Sequence, residues 1–314
     1  MAAVVETIWR ASSPETVEAD LAALWSEAGQ AGPVSRALMS NLVVVSPQRL
    51  FPTAEEVARK HPARTILLSC SRDEDTDGPD TVRVGLHTFG EADARYGLEF
   101  IAMHTTCSDE ALPSIVRRLT IGSVPTSVWW TADLSEPAPP EALSTIGRQF
   151  VYNSALWRDV TSGVRVAASL LNHPRKTDLA DLNWRRLASV RDGIVHALKD
   201  AAHDAPPRIN AARIAHPAHE RAGAVLLSGW LRARLGVTPA VDEVSPNDAL
   251  VVAVDVEGGT ISATLAGEHV RVQSGRPSFV MPVPVETEAG AVAAELLSLA
   301  PDSGLCDALR VLAG

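Results

Sequence analysis

Residues 41–70, NLVVVSPQRLFPTAEEVARKHPARTILLSC, decide the fold. The apolar run from Asn41 to Val45 reads as a buried strand, because a short apolar run bounded by turn residues suits a strand covered on both faces. Thr53 and Glu56 stand three apart as a capping box, so the spacing predicts a helix over Ala54 to His61, stopped by Pro62. Thr65 to Cys70 follows as a second strand. Strand, helix and strand in succession is the building unit of a layered α/β sheet.

Upstream, Val17, Leu21, Leu24 and Trp25 recur at spacings of three and four between acidic residues, predicting an amphipathic helix over Pro14 to Gly29 with Ser13 as its cap. Downstream, Thr81 to Thr88 and Tyr96 to Thr106 carry strand signals, separated from Thr65–Cys70 by the solvated turn SRDEDTDGPD. A helix up to Leu119, a strand at Pro125 to Thr131, the linker SEPAPPEA, a short helix and a strand at Phe150 to Asn153 complete the first unit. Tight turns between the middle strands imply a mixed sheet, so residues 1–155 read as an N-terminal layered α/β domain.

From Trp157 to Lys199 the pattern is helical, with Trp184, Leu187, Val190, Ile194 and Leu198 on one stripe, which reads as a connector over 156–200. Arg208 to Ile214 is a weak strand. His216 to Leu235 is a helix closed by Gly236, with Arg221, Ser228 and Arg232 facing away from its apolar face. Four short strands, Ala249 to Val256, Ile261 to Leu265, His269 to Gln273 and Phe279 to Val285, read as antiparallel hairpins. Helices at Ala291 to Leu299 and Leu305 to Leu312 end the chain. The fold class is therefore α/β (α+β mixed), with 201–314 as a C-terminal α+β domain of antiparallel sheet and packed helices.

With 46% apolar and 21% charged residues, the 314-residue chain has side chains enough for sizeable cores. A net charge of −10 opposes nucleic acid and the anionic face of a membrane, which both attract excess Lys and Arg, so neither is expected as a partner. No basic stretch precedes an apolar segment at the N-terminus and no apolar run reaches membrane-spanning length, so a cytoplasmic location is expected. Cys70, Cys107 and Cys306 form no CxxC pair, and free thiols are expected; a Cys70–Cys107 redox pair would need two strand ends to be neighbours.

Signatures that place chemistry are missing: the sequence has no GxGxxG, GxxxxGK[ST], GxSxG or HExxH. His216, His219 and Glu220, with His203 upstream, share ligand spacing, but Pro217 puts them at a helix start without a cysteine or second carboxylate, so no metal is expected. His61, His87 and His104 read as structural histidines. Asp73, Glu74, Asp75 and Asp77 crowd one solvated turn where nothing desolvates them for acid catalysis. No catalytic residue and no cofactor is expected. Among the seven tryptophans, adjacent Trp129 and Trp130 must point to opposite faces of a strand, so one lies beneath a covering helix or anchors a partner.

Several segments taken in order resemble one family. IWRASSPETVEADLAAL is similar to its opening helix, NLVVVS to its first strand, and HPARTILL to its helix-to-strand turn. SVPTSVWW, DLNWRRL at Asp181 to Leu187 and GAVLLSGWLRARLG at Gly223 to Gly236 continue the likeness across nearly the whole chain. The family is that of the glucose-6-phosphate dehydrogenase assembly proteins, known as OpcA. Departures occur at Val190–Arg191, where the family pattern often has Trp-Arg, and at Asn153–Ser154, where it has Asp-Ser. The resemblance implies a non-catalytic subunit that binds glucose-6-phosphate dehydrogenase and promotes its active state. The docking surface expected on that basis includes Arg64, Trp129, Trp130, Asp181, Asn183, Trp184 and Arg185. The alternative is an α/β enzyme or sugar-phosphate-binding module with its site between the two domains.

Overall fold

The structure, a computed structural model, describes residues 6–47, 50–70, 81–91, 94–105, 112–135, 143, 146–173, 177–202, 207–274, 278–298 and 300–314. The first half runs β1 (Glu6–Ser12), α1 (Val17–Gln30), β2 (Val34–Arg36), β3 (Ser40–Ser46), α2 (Phe51–Lys60), β4 (Ala63–Cys70), β5 (Thr81–Glu91), β6 (Ala94–Thr105), α3 (Leu112–Leu119), β7 (Thr126–Trp130), β8 (Gln149–Tyr152), α4 (Val160–Leu171) and β9 (Asp178–Asp181). The second runs α5 (Leu182–Arg186), α6 (Ala188–Ala201), β10 (Ile209–Pro217), α7 (Arg221–Leu235), β11 (Ala240–Val244), β12 (Leu250–Val256), β13 (Gly259–Ala266), β14 (His269–Gln273), β15 (Phe279–Pro282), α8 (Glu288–Leu297) and α9 (Ser303–Ala313). Mixed α/β architecture with a large mixed sheet and a second sheet is what the pattern of elements implied.

Six strands of the first sheet lie mutually parallel in the order β6-β4-β3-β7-β8-β9. Counted along the chain these are third, second, first, fourth, fifth and sixth, the order of a doubly wound sheet, with the reversal between β3 and β7. Alternation in β3 sends Leu42 and Val44 towards α2 and α8, and Val43 and Val45 into the larger core that α1, α3 and α4 cover. One link departs from the doubly wound plan. Between β4 and β6 the chain runs through β5, antiparallel to β6 from Thr81↔His104 to Glu91↔Ala94, and β1 pairs with β5 beyond it.

The second sheet has the order β11-β10-β12-β13-β14-β15. It is antiparallel as expected except at one edge, where β11 lies parallel to β10. Helix α7 supplies the crossover that a parallel neighbour requires. Gly236 closes α7 at φ 67°, in the left-handed region that favours glycine, and donates its N–H to Arg232 O. At Gly229 an added Cβ would stand 2.7 Å from Ala308 O, so the missing side chain lets α9 approach closely.

Several local expectations are corrected. α2 begins at Phe51 with Pro52 in its first turn, so Thr53 lies inside the helix and does not cap it; the fixed φ of proline suits that place. α1 starts at Val17, and Ser13 serves through its carbonyl, which accepts from Thr16 and Val17 N–H, while its side chain caps nothing. The connector is not helical throughout, since β9 inside it joins the first sheet. Ser228 is buried, its hydroxyl donating to Val225 O. Cys107, the Cys70 side chain, His203, the acidic turn from Asp73 to Asp77 and residues 136–142 of the linker lie outside the described residues.

Candidate functional site

The segment Asp181–Arg186 joins the two sheets. Asp181 ends β9 at the carboxyl edge of the first sheet, and its Oδ1 accepts from Asn183 N at 3.0 Å and Ser154 N at 2.9 Å. That single oxygen caps α5 and fixes the turn after β8. Asn183 donates through Nδ2 to Ser154 Oγ at 3.0 Å and accepts from Arg186, which also pairs with Glu220 at the entry to α7. Trp184 donates its indole N–H to Asp302 Oδ2 at 2.9 Å, while the Arg191 guanidinium lies 3.7 Å over its ring. Arg185 reaches forward, donating to Glu286 at 2.8 and 2.9 Å and to Glu295 at 3.1 Å.

Burial sets the electrostatics here. Asp181 is 2% exposed, and desolvation pushes its carboxyl up to about 6 against the opposing hydrogen bonds from Ser154, Asn183 and Trp184. Desolvation likewise pulls Arg191 down to about 10. Glu286 is held below its usual range by its Arg185 hydrogen bond, whereas Glu295 is raised because burial outweighs the same partner. A cleft of about 490 Å³ opens beside this segment between the sheets. Its lining carries Arg185 and Arg186 against Glu268, Glu286 and Glu288, with both arginines already paired to carboxylates. A sugar phosphate there meets more negative charge than positive, which disfavours the module reading.

Arg64 occupies a second junction. Its guanidinium is 3% exposed and donates to Glu99 at 2.7 Å, to Glu18 at 2.6 and 3.0 Å and to Leu119 O at 3.0 Å. Burial opposes its charge, yet the two carboxylates raise it on balance. Glu99 also accepts from Trp25 at 2.7 Å and Arg36 at 2.5 Å, so the cluster ties α1, β2, β4, β6 and the end of α3. Trp129 and Trp130 do point to opposite faces, Trp129 under α2 and α8 and Trp130 into the larger core, and both are buried. Of the seven residues expected on a docking surface, only Arg185 offers appreciable side-chain surface. The elements that cover the other six come from distant parts of the chain, which local sequence spacing does not reveal.

Three histidines are held by structural hydrogen bonds. His61 pairs with Ser40 Oγ at 3.0 Å, His87 with Thr7 Oγ1 at 2.8 Å, and His216 donates to Pro217 O at 3.0 Å. Ser154, Arg191, Glu286, Glu295 and Asp302, absent from the sequence-based candidates, complete the junction; the Asp302 cap of α9 was a legible signal for one of them.

The fold and these residues define a class: a doubly wound α/β sheet fused to an α+β sheet, with its conspicuous charged and aromatic side chains turned onto the junction between them. Residues 54–169 match the family model for the glucose-6-phosphate dehydrogenase subunit N-terminal domain, and residues 177–309 match that for its C-terminal domain. The chain belongs to this OpcA-type glucose-6-phosphate dehydrogenase assembly family, one of partner subunits.

A protein of Nostoc punctiforme, whose name places it in the OxPP cycle as OpcA, is 28% identical over 202 residues. The match takes in 59% of this chain and 40% of that relative's length. Among solved structures, D-galactose-1-dehydrogenase from Rhizobium etli aligns at TM-score 0.45 and 10% identity over 88% of this chain and 94% of its own. The transcriptional regulator Gal80p of Kluyveromyces lactis aligns at TM-score 0.46 and 7% identity over 88% and 87%. No helix among the described residues is long and apolar enough to cross a membrane.

Proposed function

We propose that this chain is a non-catalytic subunit that binds glucose-6-phosphate dehydrogenase and promotes its assembly or active state, supporting the oxidative pentose phosphate pathway in the cytoplasm. The observation that carries this is the ordered match of both halves of the subunit family along one chain. The reading includes a division into an N-terminal domain over 1–155, a connector over 156–200 and a C-terminal domain from 201. Arg64, Trp129, Trp130, Asp181, Asn183 and Trp184 support docking by holding the junctions in shape, with Arg185 at the surface. A subunit that favours the active enzyme must bind it more tightly than the inactive form, and a tenfold activation needs about 1.4 kcal/mol of such preference.

The test is reconstitution. The dehydrogenase of the same organism is assayed with and without the purified chain while its mass is followed by light scattering. A change in rate, substrate affinity or oligomer size supports the reading; equal kinetics and mass at saturating concentrations refute it. Trp184→Phe then separates shape from contact. The variant removes the hydrogen bond to Asp302 from a residue that is 2% exposed, and weaker dehydrogenase binding by a folded variant is expected. Unchanged binding defeats the assignment of a shape-holding role.

A further inference from the structure

Where a doubly wound sheet links its second and third parallel strands by a helix, this chain runs through β5, and among the described residues no helix covers the sheet face beside α2 at that place. A cavity of about 450 Å³ occupies the place, within the range of small-molecule sites. Its floor is two rows across β4, β6 and β5, Leu67–Ala102–Arg83 and Ser69–His104–Thr81. Its walls are Phe51 at the start of α2 and Trp9 of β1, whose rings meet edge to face at 5.0 Å. Leu67 on the floor is only 7% exposed, because Phe51 packs against the apolar cluster to which it belongs.

The polar groups gather at one side. His104 lines the cavity with its Nδ1 buried and without a partner among the described residues, flanked by Ser69 and Thr81. The Arg83 guanidinium stands 5.3 Å over the Trp9 ring and has no carboxylate partner among the described residues. Among the described residues Arg83 is thus a cation without a carboxylate partner at the rim of an aromatic cavity, in a chain of net charge −10. The turn from β3 to α2, SPQRLFP, which contributes Leu50 and Phe51 to the lining, has no glycine to let backbone approach a pyrophosphate.

We propose that this cavity binds a nucleotide. The heteroaromatic base enters the slot against Trp9 and Phe51, the phosphate pairs with Arg83, and His104, Ser69 and Thr81 meet the polar edges of the ligand.

Isothermal titration calorimetry on the full chain tests this with three probes, adenosine 5′-monophosphate, adenosine and inorganic phosphate. The monophosphate is expected to bind once per chain, adenosine about tenfold more weakly for want of the charged pair, and phosphate alone without measurable heat. Arg83→Met, an exposed position, should bring the monophosphate down to the level of adenosine. Ala102→Trp, which fills the floor, should abolish both, with thermal unfolding used to confirm that each variant is folded. No heat from either nucleoside probe at millimolar concentration overturns the proposal. So does phosphate binding as tightly as the monophosphate, or an Arg83→Met variant that binds the monophosphate as the parent does.

Discussion

Replacing Arg64 by Met should destabilise the isolated chain by about 3 kcal/mol or more, without any partner present. The magnitude follows from which contacts are dry. The arm to Glu18 contributes little, because that carboxylate is 64% exposed and solvent screens it. The arm to Glu99 is different: both side chains are under 5% exposed, and without Arg64 the Glu99 carboxylate keeps only Arg36 and the Trp25 N–H while the Leu119 carbonyl loses its donor. Removing one partner of a buried pair costs about 3–5 kcal/mol, and the remaining Arg36 contact holds the loss to the lower end of that range. Adding Glu99→Gln should recover at least about 1 kcal/mol, since the buried charge that Arg64 no longer balances is then gone. Urea unfolding followed by circular dichroism at pH 7 reads both as shifts in midpoint at constant slope. A single variant that loses under about 1 kcal/mol, or a double variant whose loss is the plain sum of its parts, refutes the argument.

Trp129→Ala should lower stability by about 3–5 kcal/mol, because the ring is 1% exposed beneath two helices and its loss leaves a cavity; thermal or urea unfolding checks it. Asp181 has a carboxyl raised from 3.8 to about 6, so between those values the folded chain holds a proton that the unfolded chain has lost, and this group's contribution to stability falls as pH rises through that window. The difference amounts to about 3 kcal/mol above pH 6. Asp181→Asn keeps Oδ1 as acceptor for Ser154 and Asn183, so the variant should equal or exceed the parent in stability at pH 7.5 and lose that slope in a urea series from pH 4 to 7.

Local patterns were legible where one element settles its own conformation. The strand–helix–strand unit at 41–70, the left-handed close at Gly236 and the opposite faces of Trp129 and Trp130 all depend on neighbours in sequence. β1 and β9 were not legible. β1 exists by pairing with β5, some eighty positions away, from Glu6↔Thr88 to Ser12↔Val82, and β9 is the four residues DLAD held by β8. A strand of that length carries too few apolar positions for its period to show. The capping-box misreading has a related cause: Thr53 and Glu56 fit the motif, but Pro52 sets the helix start earlier and Glu56 instead bonds Lys60 and Thr287.

The candidate site was legible as a segment and not as a surface. DLNWRRL marks a junction, but which way its side chains face depends on α8 and α9, which begin more than a hundred residues later and bring Glu295 and Asp302 to Arg185 and Trp184. Trp129 was ambiguous for the same reason, since α8 covers it from residues 288–297. The resulting arrangement has a physical consequence for recognition. Charges and indoles committed to internal bonds contribute rigidity in place of contact area, and a rigid junction lets a partner bind without the ordering penalty that mobile domains incur. The cavity beside α2 arises in the opposite way, where a strand stands in the place of a helix, and it is lined by Arg83, which stacks on Trp9, and by His104, whose Nδ1 has no hydrogen-bond partner among the described residues.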